Sequence, residues 1–180
     1  MQTQRFPGFQ RGLTLIEICL VLAIVSILVG TAVPSFKDNL IKRSVEGIAG
    51  ELAIDLRYVR SEAVARNEGV RVSFYDGSAG QCYAIHTGNR NDCQCNAPGA
   101  AQCTNGAVLL KSVFQPASQP VKLAATADTM LFNANNGTTV PGGTICVVPP
   151  TGKEIRHTVN IMGRVKSCLR AVPGTACMAC

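Results

Sequence analysis

The chain has 180 residues, a formal net charge of +6, 9 cysteines, 17 Gly, 9 Pro and no Trp. Once an apolar N-terminal segment is set aside, about one modest domain remains. So few aromatics speak against a large aromatic-packed enzyme core and for a compact, turn-rich β head. The charge is uneven. Lys111, Lys122, Lys153, Arg156, Arg164, Lys166 and Arg170 face only Asp128 and Glu154 over the last stretch of chain. Such a bias suits an acidic partner, nucleic acid or anionic lipid, and equally a solvated basic surface.

Residues 1–12 carry Arg5 and Arg11 and no acid, which keeps this end cytoplasmic and sends the rest across a membrane. Leu13 to Val33 follows as an apolar run close to the ~20 residues that a spanning helix needs. No small-residue cleavage site closes it, so the segment reads as a retained anchor and not a secretory signal. Glu17 lies inside the run, where a lone carboxylate costs several kcal/mol unless something pairs with it.

Beyond Pro34 the pattern becomes amphipathic. Ile41, Val45, Ile48, Leu52, Leu56, Val59 and Ala63 form one stripe at helical spacing. Lys42, Arg43, Glu46, Glu51, Asp55, Arg57, Arg60 and Glu62 fall largely on the opposite face. The spacing predicts one long helix, with Gly30 and Pro34 as places to bend, that stops near Asn67-Glu68-Gly69.

Strands follow. "VRVSFY" (70–75) alternates, Asp76-Gly77 is a turn signal, and "CYAIHT" (82–87) is the expected hairpin partner. Gly88 to Gly106 is a cysteine-rich loop. Further candidate strands are 107–114, 121–125, 130–133, 144–149 and 154–162. Cys19 lies in the apolar run, which leaves Cys82, Cys93, Cys95, Cys103, Cys146, Cys168, Cys177 and Cys180 in the head. An even set outside the membrane segment favours a disulfide framework over zinc. The C-x-C at 93–95 and the lone C-x-x-C at 177–180 are poor zinc motifs. The spacing alone leaves the pairing open. The working expectation joins Cys146 to Cys168, on late strands taken as adjacent, and Cys82 to a cysteine of the 93–103 loop. No metal or cofactor is expected.

Nothing assembles a catalytic site. His86 and His157 each sit in a predicted strand, at alternating positions expected to face solvent. Ser61-Glu62 is helix surface, and no phosphate loop is present.

At Gly12-Leu13-Thr14-Leu15-Ile16-Glu17 the sequence resembles the processing site of type IV pilins and type II secretion pseudopilins. Basic leader, Gly, Thr, Glu, spanning helix and Pro34 occur in register. Leu13 stands where the class most often has Phe and is likewise apolar. The resemblance implies cleavage by a prepilin peptidase between Gly12 and Leu13, and methylation of the Leu13 amine. It also implies a role for Glu17 in attracting and registering an N-terminal amine during assembly, since opposite charges in low dielectric interact strongly. Within the class, "RSEAVARN" at the helix end, "FNANNGTTVPGGTICV" and "RHTVNIMGRVKS" resemble the FimT/GspH group of minor pilins and pseudopilins.

That resemblance implies an α+β, type IV pilin-like fold, a long N-terminal helix packed on an antiparallel β-rich head. It divides the chain into a cleaved leader (1–12), a transmembrane and filament-core helix (13–36) and a periplasmic or extracellular head (37–180). Implied partners are other major and minor pilins, the peptidase and an inner-membrane assembly platform. FimT-like relatives also suggest double-stranded DNA as a ligand, through a Gly-Arg-x-Arg motif. Here the motif reads Gly163-Arg164-Val165-Lys166, and Lys166 neutralises a phosphate without the fork of an arginine. Arg170, Arg156 and Lys153 are the expected companions. The alternative is a GspH-type pseudopilin, which shares the fold and needs no such patch.

Overall fold

A computed structural model describes residues 12, 14–95, 99, 101–170 and 177–180, with backbone alone for 31–35. Among the described residues one helix, α1 (Leu15–Arg66), precedes eleven strands. These are β1 (Val70–Gly77), β2 (Gly80–Thr87), β3 (Cys93–Gln94), β4 (Gln102–Cys103), β5 (Leu109–Pro116) and β6 (Lys122–Ala125). Then come β7 (Thr129–Phe132), β8 (Thr139–Val140), β9 (Gly143–Val148), β10 (Glu154–Val159) and β11 (Val165–Arg170). The chain divides into two units, Met1–Asn39 and Leu40–Cys180.

In the second unit the helical stripe forms the core. Leu52, Leu56, Val59 and Ala63 are fully buried, Val45 nearly so, and Ile41 and Ile48 pack at the margin. They meet two antiparallel sheets, one ordered β5-β2-β1-β7-β8 and the other β11-β10-β9-β6. Val70, Val72, Tyr83, Ile85 and Phe132 supply the first sheet's share, and Leu123, Ile145, Val147 and Val159 the second's. The helix stops because Asn67 takes a left-handed φ of 52°. The Glu68 N–H then bonds Ala63 O and the Asn67 N–H bonds Val64 O, both at 3.2 Å. These are the two bonds of a Schellman cap, and Asn is among the few residues that tolerate its conformation.

The β1–β2 hairpin pairs Val70 with Thr87 through Gly77 with Gly80, so the turn falls on Ser78-Ala79, just beyond Asp76-Gly77. β3 and β4 make a small ribbon within the cysteine-rich loop, in register at Cys93↔Cys103.

Three expectations are corrected by burial. Asp55, placed on the polar face of the helix, is 5% exposed. Tyr83 Oη donates to it at 2.7 Å and Lys111 Nζ at 2.8 Å, while Lys111 also reaches Glu51 at 2.9 Å. This network ties α1 to β2 and β5. Burial first, and then the Asp55 carboxylate, push the Tyr83 phenol upward. Burial pulls the Lys111 ammonium down, but bonds to Asp55 and Glu51 hold it above the usual lysine value.

His86 and His157, expected at the surface, are 0% and 2% exposed. His86 Nδ1 lies 2.8 Å from Thr87 O and Nε2 lies 2.9 Å from Ser73 Oγ. A carbonyl only accepts, so Nδ1 carries the proton and Nε2 accepts from Ser73. His157 Nδ1 lies 2.8 Å from Ser167 Oγ. Burial lowers both imidazoles below their ordinary value.

Candidate functional site

The N-terminal half of α1 is built as a start signal followed by uncovered apolar surface. Thr14 precedes the first helical residue, and its Oγ1 accepts the Glu17 N–H at 3.3 Å. Thr14-Leu15-Ile16-Glu17 therefore has the form of a capping box, with the threonine as N-cap and the glutamate at the third helical position. The Glu17 carboxylate also sits in the first turn, where the helix dipole favours negative charge. Thus the same residue that the pilin resemblance singles out also has a local reason to be there. Gly12 is exposed, and a Cβ added to it would meet nothing within 4 Å. Leu13 lies outside the described residues, as do leader residues 1–11.

From Leu15 to Val29 the helix exposes apolar side chains on every face. Leu15, Ile16, Ile18, Leu20, Ile24 and Ile27 are all at least 47% exposed. A helix that is apolar all round belongs inside a bundle or a membrane. Among the described residues no helix is long and apolar enough to cross a membrane. The expected span, 13–36, includes Leu13 and side chains 31–35, which lie outside the described set. Cys19 is exposed here and free.

In the head, all eight cysteines are oxidised. Cys82 bonds Cys95, Cys93 bonds Cys103, Cys146 bonds Cys177 and Cys168 bonds Cys180. The expected Cys146–Cys168 pair is therefore wrong, for a topological reason. Both cysteines stand opposite Arg156, one on each side of β10. Two strand spacings, about 9.5 Å, exceed the roughly 7 Å that a disulfide spans between Cα atoms. The late strands taken as adjacent have a third between them.

The five expected DNA contacts do not form one surface. Arg156 is 3% exposed and pairs with Glu154, itself 1% exposed, so it is withdrawn from any ligand. Arg164, Lys166, Arg170 and Lys153 are exposed. Lys166 and Arg170 stand two positions either side of Cys168 on β11, and so share its face.

The glycine of the expected motif has a packing role that spacing could not show. Gly163 has φ +69°, and a Cβ there would come within 2.0 Å of Gly137 O. Gly137 has φ +64°, and its own Cβ would meet Arg60 Cγ at 2.7 Å. Arg60, the "GTT" turn and the "GRVKS" turn thus interlock at close approach, which explains why these motifs belong together.

A family model described as Type II transport protein GspH matches residues 49–163, from the buried helical stripe to that interlocking glycine. The match covers more than half of the chain. The chain belongs to the GspH family. It is thereby a type IV pilin/pseudopilin-class protein, in a family of structural pilins. Over 71 residues it is 37% identical to "Pilin-like protein PilA1" of Thermus thermophilus. That match covers 39% of this chain and 44% of the relative, so the chain spans less than half the length of the curated relative it matches. The crystal structure of the type IV minor pilin FimU of Pseudomonas aeruginosa superimposes with a TM-score of 0.51 at 17% identity. It covers 76% of this chain and 97% of that one, a likeness of fold. Both the glutamate segment and the segment Cys177–Cys180 lie outside the residues that the GspH model matches.

Proposed function

We propose that this chain is a minor subunit of a type IV pilus, made as a single-pass inner-membrane precursor with its head in the periplasm. The observation that carries this reading is the contrast within α1. The head has a complete core of its own, while Leu15–Val29 keeps its apolar side chains uncovered on every face. Such a segment needs lipid before assembly and other helices after it. On the outward face of the head's part of α1, Ile54, Tyr58 and Val64 are also exposed large apolar residues. They are suited to meet the helix of a neighbouring major or minor pilin.

Processing follows the same reading. A prepilin peptidase cuts between Gly12 and Leu13, the new Leu13 amine is methylated, and an assembly platform passes the subunit into the filament. Among the described residues nothing lies within 4 Å of a Cβ added at position 12, which leaves recognition by the enzyme as a reason for the glycine. Glu17 then pairs with an incoming amine. Mass spectrometry of the chain from sheared pili tests this. It should begin at methylated Leu13, and a chain found only uncut in the membrane fraction would refute the proposal.

A second reading, a GspH-type pseudopilin of a type II secretion system, is favoured by the family description itself. Deletion separates the two. Loss of pili with secretion intact supports the pilus, and the reverse supports the pseudopilus. We also read the exposed cations Arg164, Lys166, Arg170 and Lys153 as a non-specific contact to DNA phosphate during natural transformation. Arg164→Ala with Lys166→Ala should weaken duplex binding by the full-length chain and flatten its salt dependence. No retardation of duplex by the wild type at low salt would remove this reading.

A further inference from the structure

The segment Cys177–Cys180 crosses the outer face of the second sheet. Its ends are bonded to Cys146 on β9 and Cys168 on β11, and β10 lies between those strands. Arg156 Nη1 donates to Met178 O at 3.1 Å, and the Cys180 N–H donates to Thr158 Oγ1 at 3.1 Å. Arg156, which the segment contacts, and its partner Glu154 are both nearly inaccessible. Taking an ion pair out of water is costly even when its charges meet. Here two covalent bonds hold the cover in place over it. Lys166 stands opposite Thr158 and Arg170 opposite Glu154 on the same face, both exposed.

We propose that Cys177–Cys180 is a redox-released cover over a binding site for nucleic-acid phosphate, and that Arg156 is the cation it conceals. The proposal rests on the reading of this face as a DNA contact.

Access decides which cystines open. Thiol–disulfide exchange requires a thiolate to reach a sulfur. Cys180 is exposed, Cys168, Cys177 and Cys103 are half-buried, and Cys146, Cys93, Cys82 and Cys95 are 0%, 0%, 2% and 5% exposed. Cys168–Cys180 is therefore the first bond that a dithiol reductant of the thioredoxin class opens, and Cys177 and Cys103 are the sulfurs reached next. Its thiolate attacks Cys180 Sγ, the Cys168–Cys180 bond breaks, and Cys168 leaves as a thiolate and takes a proton. The reductant's second thiol resolves the mixed disulfide, freeing the Cys180 thiol and oxidising the reductant by two electrons. A second dithiol repeats the exchange at Cys177, with Cys146 as the leaving thiol. Cys146 and Cys168 stay apart because β10 separates them. With the cover off, Arg156 joins Lys166 and Arg170; among the described residues of β10 and β11 Glu154 is the one carboxylate, so the strip along these two strands is net positive.

The test uses the full-length chain in detergent, duplex DNA at low salt, and phenylglyoxal as a probe of arginine access. In the oxidised protein Arg156 should resist the reagent. With stepwise dithiothreitol and iodoacetamide, peptide mapping should find Cys168 and Cys180 alkylated first, then Cys146 and Cys177, with Cys82–Cys95 still bonded. Arg156 should then react, and the duplex dissociation constant should fall about tenfold, the scale of one added charge-assisted contact. Cys177→Ser with Cys180→Ser should reproduce both changes without reductant. Arg156 reactive in the oxidised protein, or a loop cystine opening before Cys168–Cys180, would overturn the proposal. Equal DNA binding before and after release would also overturn it while leaving the DNA reading in place. Absence of binding in both states would remove the two together.

Discussion

Leu15–Val29 and Ile41–Ala63 are apolar stretches of one helix, yet they use that character in opposite ways. The second confines it to a stripe and buries the stripe against two sheets, with Leu52, Leu56 and Val59 at 0% exposure. The first spreads it round the helix and leaves Leu15 at 81% and Ile16 at 75%. Helical geometry is common to both, so the difference lies in where the complementary surface comes from. The head carries its own partner in the chain. The N-terminal half leaves its apolar surface exposed, and in the proposed function lipid and other subunits cover it.

Substitutions separate the two halves. Leu56→Ala deletes a fully buried side chain and should cost about 2–5 kcal/mol of head stability, read as a lower midpoint in denaturant. Leu22→Ala, at an exposed position, should leave that midpoint unchanged. Equal losses would erase the distinction. Gly163→Ala should come next, at about 1–3 kcal/mol, because a methyl group meets Gly137 O and the φ is left-handed. A midpoint equal to the wild type would mean that the interlock with Arg60 bears little strain.

The smallest effect is pH-dependent and belongs to the head alone. Burial holds His86 and His157 below the usual value of 6.5. The unfolded chain then binds more protons as acid is added, so stability is full above roughly pH 6.5 and declines as pH falls below it. The melting temperature should be lower at about pH 5 than at about pH 7.5, and a flat profile would contradict the buried neutral imidazoles.

The helical stripe was legible because burial of one face leaves a three-and-four spacing in the residues themselves. The hairpin from Val70 to Thr87 was legible for a similar reason, since alternation and a turn signal are local. Asp55 was not, because the groups that bury it, Tyr83 and Lys111, arrive from distant strands. His86 and His157 were misplaced because alternation gives two faces without saying that both are covered. The cystines of β9 and β11 depended on strand order, which spacing along the chain does not encode. Of the candidate site, the glutamate segment could be read from its motif. The withdrawal of Arg156 could not, as one of its partners, Met178 O, lies 22 residues beyond it in sequence and on no strand.

In the proposed function Glu17 acts through its charge on another subunit, beyond its place in a capping box. Gln at this position keeps the capping geometry and loses the charge, whereas Ala loses both. The decisive measurement is the amount of each full-length variant in the sheared filament fraction, against its level in the membrane. Glu17→Gln should be excluded from filaments about as strongly as Glu17→Ala. Incorporation of Glu17→Gln at the wild-type level, with Glu17→Ala alone deficient, would reduce Glu17 to a helix cap and contradict the account.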